Sequence, residues 1–166
     1  MAQAQSFRDS KGRNWLFICD TFTLHRLKKQ TGIDLTKAIE QGEYDLTSEL
    51  ECKFDKKGNV IRLPNPNGVE TIVGDIETFF DVVLSLLEDD IKEAGIDLRE
   101  FGAGIDDEDV MLAASKALVE AVLSFFPPDR STAMKRAFNK LWTATTSKVR
   151  AQNEKAIREI DEINFE

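Results

Sequence analysis

The chain has 166 residues, of which 42% are hydrophobic and 31% are charged, and this composition predicts one folded domain rather than a disordered chain. The formal net charge is −8, and it is concentrated in residues 40–109, which hold twenty acidic and six basic residues. This middle region would repel phosphate backbones, so the charge disfavours nucleic acid as the main partner.

The chain has only two cysteines and one histidine, which limits the disulfides, catalytic sites and zinc sites it can form. Cys19 and Cys52 are too few for a disulfide framework, and both are predicted to pack as small apolar side chains. The single histidine, His25, lacks a positioned partner for nucleophilic catalysis, and four zinc ligands cannot be assembled. No secretory signal opens the chain, and no apolar stretch could cross a bilayer. We therefore predict a cytoplasmic protein that is not an enzyme, with no catalytic residue, metal or cofactor.

Residues 6–18 have the pattern of a β-hairpin. Asp9 can cap its own turn with its side chain, and Gly12 supplies a residue that accepts a positive φ. The period-2 alternation of a strand then places three aromatic side chains on one face, namely Phe7, Trp15 and Phe17.

Two helices are predicted to follow the hairpin. Asp20 or Thr21 is a suitable N-cap for the first helix, and Gly32 is a typical C-terminal stop. A short helix is expected from Asp34 or Leu35 to Glu40. In the less regular region 41–74, a second hairpin near 49–63 is left open.

Three long helices are predicted in the second half. Apolar residues recur with helical period from Ile76 to Ile91, and Gly95 closes this helix. The acidic run at 106–109 suits the first turn of the next helix, which must end before the prolines at 127–128. The segment 102–104 contains two glycines, and we interpret it as a loop, since the acids after it would oppose a phosphate.

The last helix is predicted to start near Asp129 or Ser131 and to run for about thirty residues, or roughly 45 Å. Its first stripe of apolar residues is typical of core packing. A second stripe lies beyond the body of the domain, where it either docks on a partner or a second copy, or folds back on its own domain. The candidate partner-binding residues are Phe138, Leu141, Trp142, Ile157, Ile160 and Ile163.

Together these elements predict an α+β fold that is mainly α. The N-terminal hairpin packs on a helical bundle that ends in the long C-terminal helix. Residues 1–128 form the core domain, and residues 129–166 form a helix that belongs partly to the core and partly to an interaction extension.

Several of these segments resemble one family. The stretch Phe7–Trp15 is similar to the opening of small tailed-phage proteins, in which a hairpin with an aspartate-glycine-arginine turn and a tryptophan precedes a helix. The family then has a threonine-glycine-x-aspartate-leucine stretch, here residues 31–35. A hydrophobic helix, a glycine-x-aspartate turn and a phenylalanine-proline segment follow, here at 76–94, 104–109 and 125–128. The insert around 45–70 and the helix after Pro128 depart from the pattern.

Members of this family are often identified as tail assembly chaperones. The resemblance implies a protein of the host bacterial cytoplasm that binds the tape-measure protein, or another structural protein such as the tail tube, and keeps it soluble during tail morphogenesis. The alternative is a structural neck or tail-completion component retained in the mature virion, where the protein would form a homo-oligomer. Neither role involves a membrane or nucleic acid.

Overall fold

The computed structural model describes residues 3–40 and 75–163, and it confirms a mainly helical α+β fold with an N-terminal antiparallel hairpin. In chain order the described elements are β1 (Gln5–Arg8), β2 (Asn14–Phe17), α1 (Thr21–Thr31), α2 (Leu35–Glu40), α3 (Ile76–Glu93), α4 (Leu98–Ile105), α5 (Glu108–Leu123) and α6 (Pro128–Ile163). Residues 41–74 lie outside this description. They include Cys52 and the second hairpin that was left open near 49–63.

The hairpin pairs Gln5 with Phe17 and Arg8 with Asn14, so its register is fixed over four residue pairs. The three aromatic residues predicted to share a face are all buried. Their rings interlock with one another and with α4: Phe7 stacks on Phe17 at 5.2 Å, and Trp15 meets Phe101 edge-on at 5.0 Å. The buried face of the hairpin therefore belongs to the main core, between α3 and α5.

Aspartate side chains start most of the described helices. Asp20, one of the two predicted N-caps, accepts a hydrogen bond from the backbone amide of Thr23 and completes a capping box. Asp75, Asp97 and Asp107 play the same part for α3, α4 and α5. Because each carboxylate satisfies free amides at a positive helix end, these acids fix helix starts as well as contributing negative charge.

The core is organised around α5, which contacts both strands of the hairpin as well as α4 and α6. Its buried residues lie on several sides of the helix and include Leu118, Val119 and Leu123. Small residues such as Ala114 and Ala117 are buried there too, which allows neighbouring elements to approach closely. The helix ends at Leu123 with Ser124 as its C-cap, and Phe125 beyond it is exposed.

The interpretation of residues 102–104 as a loop was wrong. Gly102 and Gly104 lie inside α4, so four described helices follow residue 74 rather than three. Two features outweigh the poor helix propensity of glycine: Asp97 caps the helix, and Phe101 and Ile105 are buried one turn apart. The sequence pattern missed the helix because eight residues show little more than two turns of periodicity.

The last helix begins at Pro128, slightly before the predicted start. Proline is well tolerated in the first helical turn, where its missing amide would have no partner. The helix runs for 36 residues, or about 54 Å. It is thus longer than the roughly thirty residues predicted.

Candidate interaction surface

The proximal part of α6 is anchored to the domain. Met134 and Phe138 are buried in the core, and Trp142 packs against them with its ring 5.5 Å from that of Phe138. Before them, the guanidinium of Arg130 lies over the ring of Phe126 at 4.9 Å. These contacts fix the direction in which the rest of the helix leaves the domain.

The distal part of α6 is exposed on all sides. Every residue from 150 to 160 is exposed, and Ile157 and Ile160 expose 58% and 56% of their surface. These two side chains lie on the same side of the helix because they are three residues apart. Ile160 is about 27 Å along the helix axis from Trp142. The helix thus holds a small apolar surface well away from its anchored part.

The predicted partner-binding residues therefore divide into separate groups. Phe138, considered as an exposed anchor, is only 5% exposed and belongs to the core, while Trp142 is half-buried beside it. Ile157 and Ile160 remain free to contact a partner. The side chains of Leu141 and Ile163 lie outside the described part of the chain. Phe138 thus belongs to the first stripe, which the sequence predicted to be typical of core packing.

A second cluster, centred on Asp9, holds the hairpin turn on α4. The Asp9 side chain has no exposed surface and accepts four hydrogen bonds. Its Oδ1 accepts from the backbone amides of Lys11 and Arg13, both at 2.9 Å. Its Oδ2 accepts from Arg13 Nε at 2.8 Å and from Trp15 Nε1 at 2.9 Å. A carboxylate offers enough acceptor sites for four donors, so the ionised form of Asp9 fits this position.

Arg13 extends the Asp9 cluster to α4. It donates from Nη1 to Glu100 Oε1 at 2.9 Å and from Nη2 to the Glu100 carbonyl oxygen at 3.3 Å. The amide of Ser10 donates to the Gly104 carbonyl at 2.9 Å. Sequence reasoning assigned Asp9 to the turn but missed Arg13, Glu100 and Gly104, because their contacts join segments about ninety residues apart.

The charge state of Asp9 follows from these contacts. Burial alone raises the pKa of its carboxyl, but the hydrogen bonds from Trp15 and Arg13, with the charge of Arg13, outweigh burial and leave the pKa below its usual value. Asp9 therefore stays ionised in the folded protein near neutral pH. The cluster stabilises the fold, and its Asp9 carboxylate is fully buried.

Cys19 and His25 do not combine into a reactive pair. Cys19 is buried, as predicted, and burial together with the charge of Asp20 raises the pKa of its thiol to about 12. Its thiolate, the reactive form, is therefore suppressed at neutral pH. His25 lies on the exposed side of α1.

An open groove of about 740 Å³ lies beside α1 and α3. Its walls combine three carboxylates and one cation with four apolar residues, which are Asp81, Glu88 and Asp97, Lys92, and Leu84, Ile91, Ile96 and Leu98. The carboxylates oppose anionic ligands.

Residues 3–40 and 75–163 contain neither a group of side chains placed to hold a metal nor a helix that could span a membrane. No group of three or more histidine, cysteine, aspartate or glutamate side chains is placed to hold a metal ion there. In the same residues no helix has both the length and the apolar character needed to cross a membrane. Comparison of the chain with protein-family models, curated proteins and solved structures finds no match.

Proposed function

We propose that this protein is a phage tail assembly chaperone that binds the tape-measure protein and keeps it soluble until the tail assembles. The observation that carries the proposal is the distal part of α6, where Ile157 and Ile160 are exposed on a helix that continues past the core. Exposed apolar side chains at helical spacing suit reversible contact with the apolar stripe of another helix. The resemblance of the hairpin and turn motifs to tail proteins supplies the identity of the client.

The mechanism is reversible coverage of apolar surface. A long helical client exposes apolar stripes before it is packed into a tail, and such stripes aggregate. Contact with the distal part of α6 would cover one of them, while the many carboxylates of residues 75–109 keep the complex soluble through net charge. The contact must stay weak enough to release the client, which fits a surface with only two described isoleucines.

Replacing both isoleucines, as I157S/I160S, is expected to leave the fold intact and to abolish client solubilisation. Both side chains are largely exposed in the monomer, so replacing them should change the melting temperature by less than about 2 °C. The measurement is the soluble fraction of the tape-measure protein co-expressed with each variant. Truncation after Arg150 should have the same effect, because the residues from 151 to 160 are exposed.

The matched control is Phe22→Ser, which removes an exposed apolar side chain from α1. It should leave solubilisation unchanged. Equal loss in both variants would mean that any reduction of exposed apolar surface matters, and the assignment to α6 would fail. Unfolding of the truncated chain would mean that the distal part folds back on the domain.

The second candidate is a structural neck or tail-completion component. It is favoured by the same long helix, since a projecting helix exchanged between neighbours can hold a ring together. Mass spectrometry of purified particles separates the two roles. Many copies per particle would support the structural role, whereas absence from finished particles supports the chaperone.

A further inference from the structure

One side of α6 carries positive charge between two acids, Asp129 and Glu154, that lie at its ends. Residues 130–153 contain six lysines and arginines and no aspartate or glutamate. Arg136, Lys140 and Arg150 are exposed, and at 100° per residue Lys140 and Arg150 each lie about 40° from Arg136, on opposite sides of it. We call these three residues the basic face. It lies opposite Met134 and Phe138, which hold the helix on the core.

Arg136, Lys140 and Arg150 have no ion-pair partner among the described residues. Three exposed cations on one side of a helix can bind a negatively charged partner.

The opposite charge is concentrated on another part of the same molecule. Residues 75–109 contain thirteen carboxylates and two cations, a net charge of −11. Asp90 and Glu93 are exposed at the C-terminal end of α3, where the helix dipole is also negative. We call these two residues the acidic patch.

The acidic patch is electrostatically unbalanced. Burial raises the pKa of the Asp90 carboxyl, and the charges of Glu93 and Asp89 raise it further, although Arg26 acts in the other direction. Arg26 is already bound to Asp89 at 2.7 Å. A cation brought to Asp90 and Glu93 from outside would therefore relieve a repulsion that the described part of the chain leaves in place.

We propose that copies of this protein associate head to tail, with the basic face of one copy docked on the acidic patch of the next. The partner is a second copy because each chain carries both surfaces on different helices. The net charge of −8 opposes this association only weakly, since salt screens charges beyond about 8 Å at physiological ionic strength. The contact is independent of the proposed client site, which uses Ile157 and Ile160.

A head-to-tail contact has a geometric consequence. Two different surfaces meet in it, so each added copy presents a free surface at either end. If the same two copies can make both contacts at once, the assembly closes as a two-fold dimer; otherwise it grows into a larger ring or an open chain.

The test is sedimentation velocity of the full chain at about 50 mM and about 500 mM salt, which changes the screening length about threefold. Wild-type protein is expected to form dimers or larger species at low salt and to dissociate into monomers at high salt. R136E/K140E should weaken self-association by about tenfold or more at low salt, because like charges then face each other. D90K/E93K should do the same from the other surface.

Mixing these two variants gives the decisive result. Neither variant should associate with itself. The reversed basic face of R136E/K140E is complementary in charge to the reversed acidic patch of D90K/E93K, so the mixture should associate again. K29E/K37E changes the same charge at exposed positions on α1 and α2 and should behave as wild type. Circular dichroism should show equal helix content in all variants.

Two results would overturn the proposal. One is wild-type protein that stays monomeric at both salt concentrations. The other is self-association that neither double variant changes. If the monomeric protein instead binds a short DNA duplex, and R136E/K140E removes that binding, the basic face belongs to a nucleic-acid site and not to a contact between copies.

Discussion

Asp9→Asn is expected to lower the free energy of unfolding by about 3–5 kcal/mol, the usual effect of breaking a buried, hydrogen-bonded ion pair from one side. The Asp9 carboxylate accepts from four donors and has no exposed surface. An asparagine amide would turn an NH2 group towards two of those donors and leave Arg13 with only the exposed Glu100 carboxylate as a counter-charge. Thermal unfolding should show a melting temperature lower by about 10 °C or more.

The same substitution should change how stability depends on pH. The pKa of Asp9 is lowered in the folded protein from an ordinary value of 3.8. Its stabilising contribution is therefore complete above pH 3.8 and is lost as the pH falls through the lower folded-state value. Asp9→Asn should have a flatter stability profile than wild type in that acidic range, measured by urea unfolding at a series of pH values.

Glu100→Gln is the matched control, because it removes the other carboxylate bound to Arg13. The Glu100 side chain is 55% exposed, and exposed ion pairs contribute about 1 kcal/mol or less. The two variants thus compare a buried and an exposed partner of one guanidinium. Equal losses would show that the fold depends on the charge of Arg13 alone, and that the four hydrogen bonds of Asp9 add little.

Local signals in the sequence predicted much of the fold. The alternation of Phe7, Trp15 and Phe17 predicted the hairpin and its buried face, and Asp20 and Gly32 predicted the bounds of α1. These features depend on neighbours only a few residues away, so a single sequence contains them. The end of the hairpin turn was also predicted correctly, since Gly12 has a positive φ of 80°.

What was missed depends on contacts between distant segments. The pattern of α4 is too short to predict from periodicity, and its helix is stabilised by packing against the hairpin. Phe138 was named among the partner-binding candidates although its stripe is typical of core packing, and the structure places it in the core. The point along α6 at which the domain ends depends on packing, which the helical pattern alone does not record.

The residues behind the family resemblance prove to be structural. Asp9, Arg13 and Trp15, from the hairpin motif, meet Gly104, from the glycine-x-aspartate motif, in one cluster. Together these residues hold the hairpin turn on α4. The motifs therefore support the fold more directly than the identity of a partner. The proposed function rests separately on the distal part of α6.

The two glycines of α4 should respond in opposite directions to the same substitution. A Cβ on Gly104 would lie 2.7 Å from Arg13 Nη2 and 2.8 Å from Asp9 Oδ2. The carboxylate cannot move aside without losing hydrogen bonds, so Gly104→Ala is expected to lower the free energy of unfolding by about 1–3 kcal/mol. The restriction is steric, because the space a side chain needs is filled by the Asp9 cluster.

Gly102→Ala is the internal standard for this effect. A Cβ there would meet only the ring of Phe80, at an ordinary contact distance of 3.6 Å. Alanine is the better helix former, so this variant should gain about 0.5–1 kcal/mol. Urea unfolding of both variants should therefore separate them by roughly 2–4 kcal/mol, although they lie two residues apart in one helix. If Gly104→Ala were as stable as Gly102→Ala, the hairpin turn could not be held against α4 by the close contact described above.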